Sequence, residues 1–129
     1  MPADREVQVT QPAEPIKAVV LIVDDDPEVR EIVAEFLSDF GHRVLQANGG
    51  TEALDLLARN LDIKLVITDV RMPDISGIEL ADLATRSRPD LKIILISGFF
   101  VSQKVGRRVL RKPFRMKELE EAIQAELAT

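Results

Sequence analysis

Three short apolar runs dominate the chain: AVVLIV at Ala18–Val23, KLVITD at Lys64–Asp69 and LKIILIS at Leu91–Ser97. Each is too short for an ordinary helix and rich in β-branched residues. Each is also apolar on consecutive positions rather than alternate ones, the pattern of a strand buried on both faces. Such strands need helices above and below them. The chain is therefore constrained to alternate strand and helix and to run its strands parallel.

The intervening segments supply those helices. Pro27 suits a first helical position. Val29, Ile32, Val33, Phe36, Leu37 and Phe40 then recur at helical spacing, with Glu28, Arg30, Glu31, Glu35 and Asp39 across from them. Gly41 stops this helix. HRVLQA is a short second strand, and GGTEALDLLARN a second helix with Ala53, Leu54, Leu57 and Ala58 facing inward. Ser76 and Glu79 form a capping box for a third helix, reaching about Ser87. RVLRKPF contains a short fifth strand. RMKELEEAIQAELA is the last helix, with Met116, Leu119, Ile123 and Leu127 on one stripe. Between the fourth and fifth strands, GFFVSQKVGRRV has room for only a turn or two, and Gly98 and Gly106 weaken even that. The expected fold is α/β: a five-stranded parallel sheet, doubly wound, with the helix before its fifth strand shortened or irregular.

Residues 1 to about 17 carry Pro2, Pro12 and Pro15 without a sustained period, and read as a disordered N-terminal tail. Residues 18–129 form a single domain. A chain of 129 residues that is 46% hydrophobic holds one real core. Its formal net charge of -5 argues against direct nucleic-acid binding, which needs basic surface. With no cysteine, disulfides, thiolate metal sites and thiol catalysis are excluded. No apolar stretch approaches the length of a membrane span, and MPADREVQVT lacks the pattern of a signal peptide. The expected location is cytoplasmic, with no membrane partner.

In open parallel sheets, sites lie beyond the carboxyl ends of the strands. Asp24, Asp25 and Asp26 follow the first strand, Asp69 ends the third, Ser97 the fourth and Lys112 the fifth. All fall on one edge. Converging carboxylates repel each other. A hard divalent cation relieves the repulsion, and Mg²⁺ suits one or two carboxylates plus waters and phosphate oxygens. No His or Cys stands there to make a zinc site. A lysine ammonium and a serine hydroxyl complete the parts needed for phosphoryl transfer to a carboxylate. Asp26, just before Pro27, fits a helix cap instead. Asp74 reads as a solvated turn residue and His42 as an ordinary edge residue. Between Asp90 and Glu118 no acidic residue occurs, while Lys104, Arg107, Arg108, Arg111, Lys112, Arg115 and Lys117 cluster. That run reads as a solvated face or a docking surface for an acidic partner.

LIVDDD, LVITDVRMPDISGIEL, IILIS and RKPF, in this order, resemble the receiver domain of two-component response regulators over about residues 18 to 127. The resemblance implies a flavodoxin-like strand order of 2-1-3-4-5. It implies that Asp69 accepts a phosphoryl group from a histidine kinase or histidine phosphotransfer protein. Asp24 and Asp25 match the acidic pair that holds Mg²⁺, Asp25 directly and Asp24 through water. The backbone carbonyl of Arg71 matches the third protein ligand, Ser97 the hydroxyl that turns toward the phosphoryl group, and Lys112 the cation that pairs with it. The Lys112–Pro113 bond is then expected to be cis. The chain would be no enzyme beyond its own phosphoryl acceptance and slow loss, and would signal through contacts with a downstream protein.

Two departures stand out. Val109 occupies the position of a switch aromatic, and the segment before it is short, which implies a smaller or differently routed conformational change. Arg71 sets a long cation beside the acceptor. Two other readings exist. One is a degenerate receiver that binds partners without phosphorylation. The other is a haloacid-dehalogenase-like phosphatase, whose motif needs Thr or Val where this chain has Glu28. Ending at its last helix, the chain reads as a stand-alone receiver or a domain of a hybrid kinase; Met1 and the tail favour the former.

Overall fold

The computed structural model describes residues 14–102 and 105–129. Strands β1 (Val19–Val23), β2 (Arg43–Ala47), β3 (Ile63–Asp69), β4 (Lys92–Ser97) and β5 (Arg108–Arg111) form one sheet in the order β2-β1-β3-β4-β5. All neighbouring strands run parallel. Helices α1 (Pro27–Asp39), α2 (Gly50–Arg59), α3 (Gly77–Ser87) and α4 (Met116–Leu127) cover it. The expected strand order holds. Of the tail expected over residues 1 to about 17, residues 1–13 lie outside the described residues. Ile16, within it, exchanges two hydrogen bonds with the Gln124 side chain of α4.

The unbroken apolar runs are explained by where alternate side chains point. Val20 and Ile22 of β1 pack with Val33 and Leu37 of α1 and with Leu119 and Ile123 of α4. Leu21 and Val23 point the other way, into Ala53 and Leu57 of α2 and Leu80, Ala81 and Ala84 of α3. Each fully buried Leu, Ile or Val is worth about 1.5–3 kcal/mol in apolar transfer. A polar residue on either face of β1 would forfeit that and leave a buried group without solvent.

Local signals set the helix ends. Asp26 caps α1, its Oδ1 accepting from the Glu28 and Val29 amides at 3.0 and 3.3 Å. Gly41 leaves α1 at φ 100°, a left-handed conformation that favours glycine. Ser76 Oγ accepts from Glu79 N–H at 3.0 Å to start α3.

Three expectations need correction. On α1 only Val33, Ala34 and Leu37 are buried, while Ile32 is 63% exposed and Val29 and Phe40 are also exposed. The apolar stripe is wider than the arc the sheet can cover. Ala58, expected inward on α2, is exposed. His42 is not an ordinary edge residue; it is 4% exposed. Its Nδ1 accepts from Ala18 N–H at 3.2 Å, so Nε2 carries the proton donated to the Glu120 carboxylate, 3.0 Å away on α4. Its partner stands 78 residues further along the chain, out of reach of any local pattern.

Between β4 and β5 the described residues form no helix comparable to the other four; residues 103 and 104 lie outside the description. Phe99, Val101, Val105 and Val109 pack onto the α2–α3 side of the sheet there. Phe100 is 74% exposed. Part of the basic run is paired, Arg107 with Asp82 and Arg108 with Glu126. No helix among the described residues is long and apolar enough to cross a membrane.

Candidate functional site

The acidic edge begins where β1 runs out. The parallel pairing with β2 continues one residue past the strand, Asp24 N–H donating to Ala47 O at 3.2 Å. The backbone then turns, and Asp26 N–H donates to Asp24 Oδ1 at 2.9 Å. The triplet is divided by this turn. Asp24 is buried and aimed into the edge, Asp25 is exposed beside it, and Asp26 looks away to cap α1.

Asp69 is fixed by its main chain. It sits opposite Ile96 in the β3–β4 ladder, and Val70 N–H donates to Ile96 O at 2.9 Å. The buried Thr68 hydroxyl donates to Asp69 O at 2.9 Å. Gly77 N–H donates to Val70 O at 2.8 Å, and a Cβ at Gly77 would lie 2.1 Å from Asp69 O. Only glycine lets α3 start this close beneath the end of β3.

On the far side, Lys112 N–H donates to Ser97 O at 2.8 Å, extending the β4–β5 ladder. This carries the Lys112 ammonium to 3.4 Å from Asp69 Oδ2. The Lys112–Pro113 bond is cis.

One carboxylate oxygen from each of Asp24, Asp25 and Asp69 lies within 4.8 Å of the others. Burial pushes the Asp24 carboxyl above its ordinary value. The Asp26 amide and Lys112 oppose this, while the charges of Asp69 and Asp25 add to it. Three acids face one lysine, so a divalent cation has an electrostatic role to fill. The donors are hard oxygens only, which fits Mg²⁺ and excludes a soft-metal site.

Ser97 is buried at the same edge, but its hydroxyl is turned along its own chain. It donates to Phe99 O at 2.7 Å and accepts from Phe99 N–H at 3.1 Å. The Arg71 guanidinium lies over the Phe99 ring, 4.4 Å from its centroid. Arg71 and Phe99 line a groove of 360 Å³ with Asp69, Gly98 and Lys112. Asp24, Asp25, Asp69 and Lys112 are thus brought together, Arg71 leans over the mouth, and Ser97 is within the edge but engaged with its own turn.

Sequence reasoning missed two contributors. Asp74 is not a merely solvated turn residue. Its carboxylate accepts from Gly50 N–H at 3.3 Å and Thr51 N–H at 2.8 Å, capping α2 from 23 residues away. Those bonds hold it well below the usual carboxylate range. Arg30 donates from Nη1 to Asp24 O at 2.7 Å and from Nε to Gln46 Oε1 at 3.0 Å. A signal for Arg30 was present: a cation in the opening turns of a helix opposes the dipole, so something else must hold it there.

The response regulator receiver domain model matches residues 20–124. The chain belongs to this family. A CheY chemotaxis protein homolog of Campylobacter jejuni is 35% identical over 120 residues, spanning 85% of this chain and 92% of that protein. CheY4 of Vibrio cholerae superposes with a TM-score of 0.79 at 28% identity, over 86% of this receiver and 99% of that chain. The response regulator TrrA of Thermotoga maritima, solved in complex with Mg²⁺-BeF, superposes with a TM-score of 0.76 at 33% identity, over 84% of this chain and 97% of that one. The receiver is therefore a CheY-like module of two-component signalling, a class of signalling protein. The haloacid-dehalogenase-like reading is left with no motif of its own.

Proposed function

We propose that this receiver accepts a phosphoryl group on Asp69 from a phosphohistidine of a histidine kinase or phosphotransfer protein, and signals through contacts with a downstream protein. The observation that carries this reading is the convergence of Asp24, Asp25 and Asp69 within 4.8 Å, with Lys112 3.4 Å from Asp69. A carboxylate oxygen of Asp69 attacks phosphorus. A P–O bond forms as the P–N bond breaks, and the electron pair leaves on the donor imidazole, which takes up a proton. Asp24, Asp25, Asp69 and the backbone carbonyl of Arg71 would hold Mg²⁺, which supplies charge neutralisation to the phosphoryl oxygens.

The chain's own residues do the rest. Lys112 holds a fixed positive charge beside the acceptor, prearranged by the β4–β5 ladder. Ser97 donates to a phosphoryl oxygen once its hydroxyl leaves Phe99. Thr68 and Gly77 keep the Asp69 main chain from drifting, so the nucleophile is positioned before the donor arrives.

Beryllium fluoride, a tetrahedral phosphoryl mimic, tests the site. Amide signals of Asp69 and its neighbours are expected to shift with beryllium fluoride and Mg²⁺ together. In Asp69→Asn, beryllium fluoride is expected to add nothing to the shifts that Mg²⁺ alone causes. A beryllium fluoride response without Mg²⁺, or one retained in the variant, would refute the acceptor assignment. No response in the wild type would favour a receiver that binds its partner without phosphorylation.

A further inference from the structure

Arg30 is a cation set beside a site that is proposed to bind a cation. Coulomb's law makes this unfavourable for metal binding, so its placement asks for another reason. The geometry supplies one. Arg30 is partly buried on the first turns of α1. Its Nη1 reaches back to the Asp24 carbonyl at 2.7 Å, and its Nε reaches across to the Gln46 side chain on β2 at 3.0 Å. The planar fork thus ties the loop after β1 to the neighbouring strand. Asp24 is held at three points: its N–H by Ala47 O, its carbonyl by Arg30 and its Oδ1 by the Asp26 amide. With its main chain clamped at both ends, the Asp24 carboxylate stays aimed into the edge.

We infer that Arg30, braced by Gln46, is a positioning residue for the acidic pair: it fixes the Asp24–Asp25 turn so that both carboxylates face the metal position before the ion arrives. This rests on the reading of the edge as a Mg²⁺ site. Partners of this kind, one step removed from the metal, typically alter affinity by about 10–100-fold when removed.

The two roles open to Arg30 predict opposite signs. As a charge, its removal should strengthen Mg²⁺ binding. As a clamp, its removal should weaken it. The experiment is a Mg²⁺ titration followed by amide shifts of Asp25 and Asp69 in wild type, Arg30→Met, Arg30→Lys and Gln46→Leu. Thermal unfolding in EDTA, run in parallel, reports the fold without metal. The expected result is Mg²⁺ affinity lowered at least about tenfold in Arg30→Met. Arg30→Lys, which keeps the charge but cannot fork, should be lowered nearly as much, and Gln46→Leu by less. Equal or tighter binding in Arg30→Met overturns the inference, as does full affinity in Arg30→Lys. Should Arg30→Met fail to fold, Gln46→Leu carries the test alone, and unchanged affinity there overturns it. Absence of Mg²⁺ binding in wild type would instead sink the metal-site reading itself.

Discussion

At the Asp24–Asp69 half of the carboxyl edge, backbone hydrogen bonds hold the main chain of each inward-facing acid; at the Ser97–Lys112 half, the described residues between β4 and β5 lie against the sheet through apolar side chains. The first half has the Asp24–Ala47, Val70–Ile96 and Gly77–Val70 bonds, and Gly77 sits with no space for a methyl group. In the second, Phe99, Val101 and Val105 pack against the sheet. Gly98 has open space around it. The contrast teaches that geometry is strict where charge must converge. Where the edge only has to be covered, apolar contact suffices.

The largest effect is expected for Gly77→Ala. Its methyl would lie 2.1 Å from Asp69 O, backbone that cannot yield without moving β3. A loss of about 3 kcal/mol is expected from overpacking, read from the urea midpoint. A loss too small to measure would mean that the acidic half is less strictly fitted than its hydrogen bonds imply.

Phe99→Ala comes next. Phe99 is half-buried, so about 2 kcal/mol of stability should go, less than for a fully buried aromatic. Mg²⁺ affinity should stay within about twofold, because Phe99 meets the acidic half at the Arg71 side chain, while Arg71 would hold Mg²⁺ by its backbone carbonyl. A large change in affinity would show the two halves to be coupled.

Asp74→Ala removes a long-range cap, for about 1 kcal/mol at neutral pH. The sign of its pH dependence follows from the lowered pKa. The folded state favours the carboxylate, so the contribution is complete above the ordinary value of 3.8 and is lost as pH falls through the folded value. Wild type and variant should therefore converge in stability in strong acid. A gap that widens below pH 3.8 would contradict the capping account.

The smallest effect is expected for Gly98→Ala, where nothing lies within 4 Å and φ is not positive. Its stability should stay within about 0.5 kcal/mol of wild type. A large loss would mean that the covering segment is as tightly fitted as the acidic half.

The same division governs what the sequence reveals. Strands buried on both faces announce themselves as unbroken apolar runs, and the sheet edge follows from where those runs end. The Asp26 and Ser76 caps are legible because their partners lie within three residues. The Asp24, Asp25, Asp69 and Lys112 convergence is legible because each terminates or follows a strand in a parallel sheet. What escapes is set by distant pairing. Nothing near His42 announces Glu120, and nothing near Asp74 announces the Thr51 amide. The outward half of the α1 stripe escapes too, since periodicity reports a face without saying how much of it is covered. The orientation of the Ser97 hydroxyl is a rotamer choice made by the Phe99 turn, and a one-letter code carries no rotamer.

The account stands most directly on the intact mass of the receiver after incubation with acetyl phosphate, with and without Mg²⁺. It predicts a gain of one phosphoryl group that requires Mg²⁺ and is absent in Asp69→Asn. No gain under any condition, or a gain that survives in Asp69→Asn, would contradict it.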